Sequence, residues 1–304
     1  MKVLVIGGTG HVGAFLVPEL IEQGHEVYIA TRGNTAKKSF TDYTKVNFIT
    51  CDTKDPEDAK KLLNYGFEVV IDMPGSAYDV WNILKNDIRH LIACGSLWMF
   101  GNPRVIPTPE APQNDCPFAV YAERFGYIQK MLKESGKYKA VFTAIMPPNI
   151  SGPGKIPIDT MGGRSAEVHK NLMQGKPVIL PEGPECIISP CDASDIAHLF
   201  VLAMNNPAAA GGEIFNVGSE YGFTVSQMVE VFEKIHGVKI PIERVTWEKY
   251  ITEINPNQSA WWHFYAHMLP DITKAKTLLG YKPKFTPEEA LTRAVDWMKQ
   301  EGII

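Results

Sequence analysis

The residues best placed to do chemistry come first in the chain. "VLVIGGTGHVGAFL" sets Gly7, Gly10 and Gly13 at GxxGxxG spacing, directly after an apolar strand-like run and at the start of an amphipathic stretch. Glycines at such a junction allow a tight turn and close backbone approach, so that a pyrophosphate can rest on free amides at a helix N-terminus, where the helix dipole meets its charge. Thr9, His11 and Val12 complete the loop. Because the triplet opens an alternating series of strands and helices, it reads as a dinucleotide site rather than a bare glycine turn.

The choice between the two nicotinamide dinucleotides falls to the end of the second strand. An acidic side chain there would bind the ribose hydroxyls and repel a 2′-phosphate. "EVYIATRG" instead ends in Thr31 and Arg32, so NADP is the expected cofactor, with NAD as the alternative. Asp52, in "FITCDTKD", reads equally as a partner for the adenine amino group and as a turn cap. Pro74 and Pro147 follow the fourth and sixth strand-like runs and complete the expected cofactor contacts.

These residues need a sheet to present them. Strands are expected at "KVLVIG", "HEVYIA", "VNFIT", "FEVVID", "RHLIAC" and "KAVFTAIM", with amphipathic helices between them at Val12 to Gly24 and Tyr121 to Gly136. Alternation of this kind gives an α/β protein with a Rossmann-type, doubly wound parallel sheet over residues 1–150. After about residue 150 prolines and glycines become dense and helices prevail. Residues 151–304 are therefore expected to form mostly a smaller C-terminal substrate-binding lobe, with parts of 185–220 returning to the first domain. Thr286-Pro287-Glu288-Glu289 has the makings of a helix start, with a threonine cap, proline at the first position and glutamate at the third.

Composition removes several classes of function. The chain has 304 residues, 45% of them hydrophobic, enough for a substantial core, and a formal net charge of −4. That charge gives nucleic-acid binding little electrostatic support. The five cysteines form no CxxC pair and suit reduced thiols in a cytoplasmic setting. "MKVLVIG" reads as a strand from the first residue, so no leader is expected, and no apolar run approaches the roughly 20 residues of a membrane helix. No metal site is expected. His263 and His267, four apart, lack a third ligand and read as a packed or surface pair.

Taken in order along the chain, "GGTGHVG", "CDTKD", "CGSLWMFG", Tyr121, "PPNISGPG", "DASDIA", "FNVGS" and "KTLLGYKP" resemble the extended or atypical short-chain dehydrogenases/reductases, the NAD-dependent epimerase/dehydratase family. The resemblance implies a catalytic pair, Ser96 before the "LWMFG" turn and Tyr121 25 positions later at the start of a helix. It also implies a lysine four residues after the tyrosine, where this chain has Phe125. A free phenol has a pKa near 10, so without a neighbouring cation Tyr121 is a poor base, although it can still donate a proton. Arg124 is the local candidate for that cation, set against a plain surface role.

Other departures bear on the substrate. Ser96 is followed by Leu97 and Trp98 instead of the acidic residues that water elimination requires. Met146 and Asp192 stand where the family places an arginine and a histidine, which weakens the case for a nucleotide diphosphate. Trp98, Asn149, Arg164 and Trp261 are the candidate substrate residues, the last in "SAWWHFYAH" with Trp262, Phe264 and Tyr265, where an apolar ring-binding pocket and packing between lobes are equally expected. The implied function is an NAD(P)-dependent oxidoreductase or epimerase acting on a hydroxyl or carbonyl of a sugar derivative or other ring-containing small molecule. The alternative is an NADP(H)-binding sensor, scaffold or RNA-associated protein, since the segment from Pro74 to Arg89 resembles the chloroplast stem-loop-binding branch. The resemblance further implies a homodimer formed through the active-site helices.

Overall fold

The computed structural model describes residues 1–33 and 37–304. Seven strands, β1 (Lys2–Ile6), β2 (Glu26–Thr31), β3 (Asn47–Thr50), β4 (Val69–Asp72), β5 (His90–Cys94), β6 (Val141–Met146) and β7 (Ile214–Asn216), form one parallel sheet in the order β7-β6-β5-β4-β1-β2-β3. The order reverses between β1 and β4, the place where a doubly wound sheet opens a crevice at the carboxyl ends of its strands.

Two apolar layers cover the sheet. Successive side chains of a strand point to opposite faces, so Val3, Val5 and Ile71 meet one layer while Leu4, Val70 and Leu91 meet the other. The first layer comes from α1 (Gly13–Glu22) and α4 (Ala193–Asn205), through Leu16, Val17, Leu20, Ile196, Leu199 and Phe200. The second comes from α2 (Ala77–Leu84) and α3 (Ala119–Glu134), through Val80, Trp81, Leu84, Ile128 and Met131. All four residues of β4 are buried, as expected of a strand covered on both sides.

A third core lies beyond residue 157, where Leu172, Leu180, Phe232, Tyr250, Phe264, Leu291 and Val295 pack together around α5 (Val225–His236) and α6 (Pro287–Gln300). Both helices start on a full capping box. Thr286 Oγ1 accepts the Glu289 amide at 3.2 Å, and Glu289 Oε2 accepts the Thr286 amide at 2.8 Å. The chain does not divide cleanly at residue 150, because α4 packs on the first layer and β7 adds an edge to the sheet. "DASDIA" joins the two bodies. Asp192 caps α4 through the Ser194 amide and takes Arg293 Nε of α6 at 2.9 Å, while Asp195 accepts the amides of Lys284 and Phe285.

Candidate functional site

The glycine loop runs off β1 into α1 with geometry that only glycine accommodates. Gly7 has φ +81°, and a Cβ on Gly13 would lie 2.5 Å from the Gly7 carbonyl oxygen and 2.6 Å from Gly8 Cα. The Gly10 amide donates to Gly7 O and the Ala14 amide to Gly10 O, whereas the intervening amides of His11, Val12 and Gly13 have no partner among the described residues. Helix α1 has no side-chain cap and no acidic residue in its first turn. A helix end left in this state suits an anion.

A cleft of about 290 Å³ opens beside the loop, over the ends of β1 to β4, lined by Gly7, Thr9, Gly10, Thr31, Arg32, Asp52, Lys54 and Pro74 among others. Pro74 packs closely on Gly7, its Cδ 3.1 Å from where a Cβ would be. Asp52 fulfils its turn-capping reading, since its Oδ1 accepts the Lys54 amide at 3.0 Å, and it also lines the cleft. Thr31 Oγ1 accepts the Gly33 amide at 2.9 Å. Sequence reasoning missed Lys54, a second cation beside Arg32. The signal lay in "CDTKD", where the turn capped by Asp52 carries the lysine back over the strand ends.

Ser96 and Tyr121 both contact Trp98, the first at its backbone amide and the second at its ring. Ser96 caps the single turn Leu97–Phe100, its Oγ accepting the Trp98 amide at 3.3 Å, which leaves its own hydroxyl proton available. The Trp98 ring stacks on Phe118 at 4.8 Å and stands edge-on to Tyr121 at 5.6 Å. Tyr121 lies in the first turn of α3, whose start at Ala119 precedes the expected one by two residues. Its hydroxyl has no hydrogen-bond partner among the described residues.

The residue one turn further on is not an open slot. Phe125 is only 8% exposed and meets Phe100 edge-on at 5.7 Å within the second layer. Arg124 instead turns towards the loop after β4, its guanidinium 2.0 Å from where a Gly75 Cβ would be. It lines a small cavity with Asp72, Cys94 and Tyr127 and has no hydrogen bond or ion pair among the described residues. Asp72 is fully buried, and its carboxylate collects Ser76 Oγ at 2.6 Å and the Gly75 amide at 2.9 Å. Burial raises the pKa of Asp72, against the pull of those hydrogen bonds and of Arg124. It also pushes the Cys94 thiol up to about 12, so that this cysteine is inert.

The segment expected to bring Trp261 does so differently. Trp261 packs edge-on against Trp247 and Tyr265, both in the C-terminal lobe. Its neighbour Trp262 meets Phe118 at 5.7 Å, and His263 lies 4.6 Å from the Trp98 ring. Asn149, on the short strand Asn149–Ser151 after β6, donates from Nδ2 to His263 Nδ1 at 2.9 Å. His267 accepts the Ile187 amide through its own Nδ1, so the two histidines serve separate partners, and no group of three metal ligands occurs among the described residues. His263 belongs to this corner, yet the sequence offered only its spacing from His267, which points the wrong way.

Arg164 secures the loop that follows Asn149. Its Nη1 donates to Ile156 O at 2.6 Å and its Nη2 to Ile150 O at 2.8 Å. His11 reaches the same loop from the glycine turn, Nε2 donating to Gly152 O at 3.2 Å, while its buried Nδ1 has no partner. Burial, then Arg164 and Lys155, push the His11 pKa down to about 3. Pro147 braces the loop from the other end, its carbonyl accepting the Leu97 amide at 3.0 Å. Met146 fills the space over Gly95, its sulfur 2.2 Å from where a Cβ would be, and so serves packing where the family's arginine was expected.

Known proteins resemble the chain along its whole length. It is 27% identical to the chloroplast stem-loop binding protein of 41 kDa b of Arabidopsis thaliana, over 96% of this chain and 77% of that protein. It is 24% identical to a UDP-glucose 4-epimerase of Lactobacillus helveticus, over 98% and 97% of the two chains. The crystal structure of a UDP-glucose 4-epimerase of Stenotrophomonas maltophila, with bound NAD and formylated UDP-arabinopyranose, superposes with a TM-score of 0.79 at 18% identity over 99% of each chain. A UDP-glucose 4-epimerase of Thermotoga maritima with UDP-glucose does so at 0.77 and 20%, again over 99% of each. No helix among the described residues is long and apolar enough to cross a membrane. The family model described as NAD dependent epimerase/dehydratase matches residues 3–87 and 77–218, and with the glycine loop, the parallel sheet and its crevice in place, this chain belongs to that family.

Proposed function

We propose that this protein is a nicotinamide-dinucleotide-dependent epimerase or oxidoreductase acting on a secondary hydroxyl or carbonyl of a sugar derivative. Tyr121 is the proton carrier and Ser96 the hydrogen-bond donor to the reacting oxygen. The observation that supports this reading is their shared neighbour: an unpartnered phenol against the Trp98 ring and a hydroxyl with a free proton at the Trp98 backbone amide. UDP-glucose 4-epimerases recur among the relatives, and one related structure holds NAD.

The three free amides of the glycine loop suit the cofactor's pyrophosphate. Arg32 and Lys54 favour a 2′-phosphate at the ribose end, and NADP is the cofactor we assign, with NAD as the competitor that the relatives bring. When bound, the nicotinamide supplies or removes the hydride. In the reductive direction the Tyr121 hydroxyl gives its proton to the carbonyl oxygen as that oxygen becomes a hydroxyl, and Ser96 Oγ–H steadies the developing charge. Phe125 offers the phenolate no positive charge. Arg124 is the helix cation left to support the site, and the reductive half of the chemistry is the easier one.

The test is NADPH oxidation and interconversion of UDP-glucose and UDP-galactose, with the wild type and Tyr121→Phe compared and NADPH binding titrated in parallel. Turnover should fall about 10³-fold in Tyr121→Phe while NADPH affinity holds. Equal turnover in the variant would remove Tyr121 from the mechanism. Firm NADPH binding with no turnover on any substrate would favour the second reading, a binding protein related to the stem-loop binding relative. A salt-dependent shift of structured RNA would then be expected despite the net charge of −4.

A further inference from the structure

His263 has the surroundings of a ligand contact. It comes from the C-terminal segment, in the turn Trp262–Phe264, yet its ring reaches the corner built by the first domain. On one side Asn149, only 3% exposed, holds Nδ1 at 2.9 Å. On another the Trp98 indole lies 4.6 Å away, and the same indole meets Tyr121 at 5.6 Å. One ring therefore separates the imidazole from the phenol. Nε2 has no partner among the described residues, and it is absent from the polar atoms sealed away from solvent.

The protonation state follows from the same surroundings. Burial first, and then the charge of Arg164, push the His263 pKa down to about 3, so the ring is neutral at ordinary pH. A neutral ring that accepts the Asn149 amide at Nδ1 carries its proton on Nε2. An imidazole kept only for packing would have no need of an amide fixing its tautomer or of an unpaired donor that still reaches solvent.

We propose that His263 is a substrate-contacting residue, its Nε2–H donating a hydrogen bond to a second oxygen of the ring whose other oxygen reacts at Tyr121. This inference rests on the sugar reading above and adds to it. A neutral donor selects an uncharged oxygen, whereas a phosphate or carboxylate would call for a cation. The portion of the substrate in this corner is therefore an uncharged polyhydroxylated ring, and Asn149 is the positioning residue that sets the donor's direction.

The experiment compares wild type, His263→Gln and His263→Phe, titrated with UDP-glucose, UDP-galactose and NADPH, with KM and kcat measured for whichever sugar turns over. His263→Phe should weaken sugar binding and raise KM about tenfold, in line with the loss of one polar contact to a substrate hydroxyl. His263→Gln, whose amide can still donate, should remain within about threefold of wild type, and NADPH affinity should hold in both. Sugar binding within twofold of wild type in His263→Phe would overturn the assignment. If that variant fails to fold, the nitrogen shifts of the His263 ring in the wild type decide: a proton on Nε2 that responds to sugar supports the contact, and a proton on Nδ1 or no response overturns it. Failure of the wild type to bind either sugar would instead overturn the sugar reading, and this inference with it, a result distinct from binding that ignores His263.

Discussion

The dinucleotide cleft and the corner around Trp98 are built from different materials. The cleft is made mainly of backbone: a left-handed Gly7, a Gly13 pressed on Gly8, three free amides, and a helix with nothing at its N-terminus. The corner is made of side chains from separate segments, with Ser96 and Trp98 after β5, Tyr121 on α3, Asn149 after β6, and His263 from far along the chain. A backbone site is encoded by a run of neighbouring residues and tolerates little change within it. A side-chain site draws its members from segments that can change one at a time.

The largest expected effect breaks the backbone site. Gly13→Ala places a Cβ against two backbone atoms that cannot rotate away, and dinucleotide affinity should fall by about 100-fold or more, some 3 kcal/mol. Gly24→Ala is the control. That glycine, just past α1, has φ +78° with open space around it, so alanine there should cost about 1 kcal/mol of stability and leave NADPH binding intact. Equal loss of binding in both variants would mean that the loop fails through folding rather than contact.

Acid probes the side-chain parts next. His90, 1% exposed and bonded through Nε2 to Thr143 Oγ1, is pushed by burial down to about 4, and His11 and His263 to about 3. In the unfolded chain these rings protonate near pH 6.5, so between pH 6.5 and 4 the unfolded state binds more protons and stability falls as pH drops. His90 alone should account for about 3 kcal/mol by pH 4. The thermal midpoint should be flat above pH 7 and fall steeply below 6, and His90→Gln should flatten the descent. A midpoint independent of pH over that window would contradict the burial of these rings as neutral species.

The same division explains what could be read from the sequence. The six strand-like runs and the glycine loop were legible because periodicity and local turn chemistry are properties of neighbours, and all six lie in the sheet within a few residues of the expected bounds. The edge strand β7 and helix α4 were visible only as a vague return of 185–220, because their place is fixed by tertiary packing on β6 and α1. Trp261 and His263 show the limit. Two residues apart, one packs into the lobe and the other reaches Trp98, and the turn that separates them carries no signal in residue type. Arg164 was a substrate candidate on charge alone, and the carbonyls of Ile156 and Ile150 that its Nη1 and Nη2 bind lie in a loop the sequence did not place.

Phe125→Lys sharpens the comparison from the other side. The resemblance treats the position as a lysine that is missing, whereas the structure gives it a ring packed on Phe100 in the second layer. Burying an ammonium there should cost about 2 kcal/mol, with a lower thermal midpoint and no gain in turnover. A variant as stable as wild type and at least tenfold faster would show instead that the corner accepts the cation that the resemblance implies. Arg124→Ala, measured alongside, should weaken turnover and also lower the thermal midpoint, because it removes the cation that favours the ionised form of the buried Asp72.

The smallest expected effect concerns the rim of the cleft, where backbone logic gives way to exposed charge. Arg32 and Lys54 both line the cleft, but surface charges act through screened water and contribute about 1 kcal/mol each at most. Arg32→Ala should therefore reduce the preference for NADPH over NADH about fivefold, and adding Lys54→Ala should reduce it further, with both effects shrinking in high salt. NADH affinity should stay unchanged, because its ribose hydroxyls need neither cation. A preference that survives both substitutions would place cofactor choice in Thr31 and Asp52, and hence in hydrogen bonding rather than charge. A wild type that prefers NADH would show that the absence of an acidic side chain at the end of β2 does not by itself admit a phosphate.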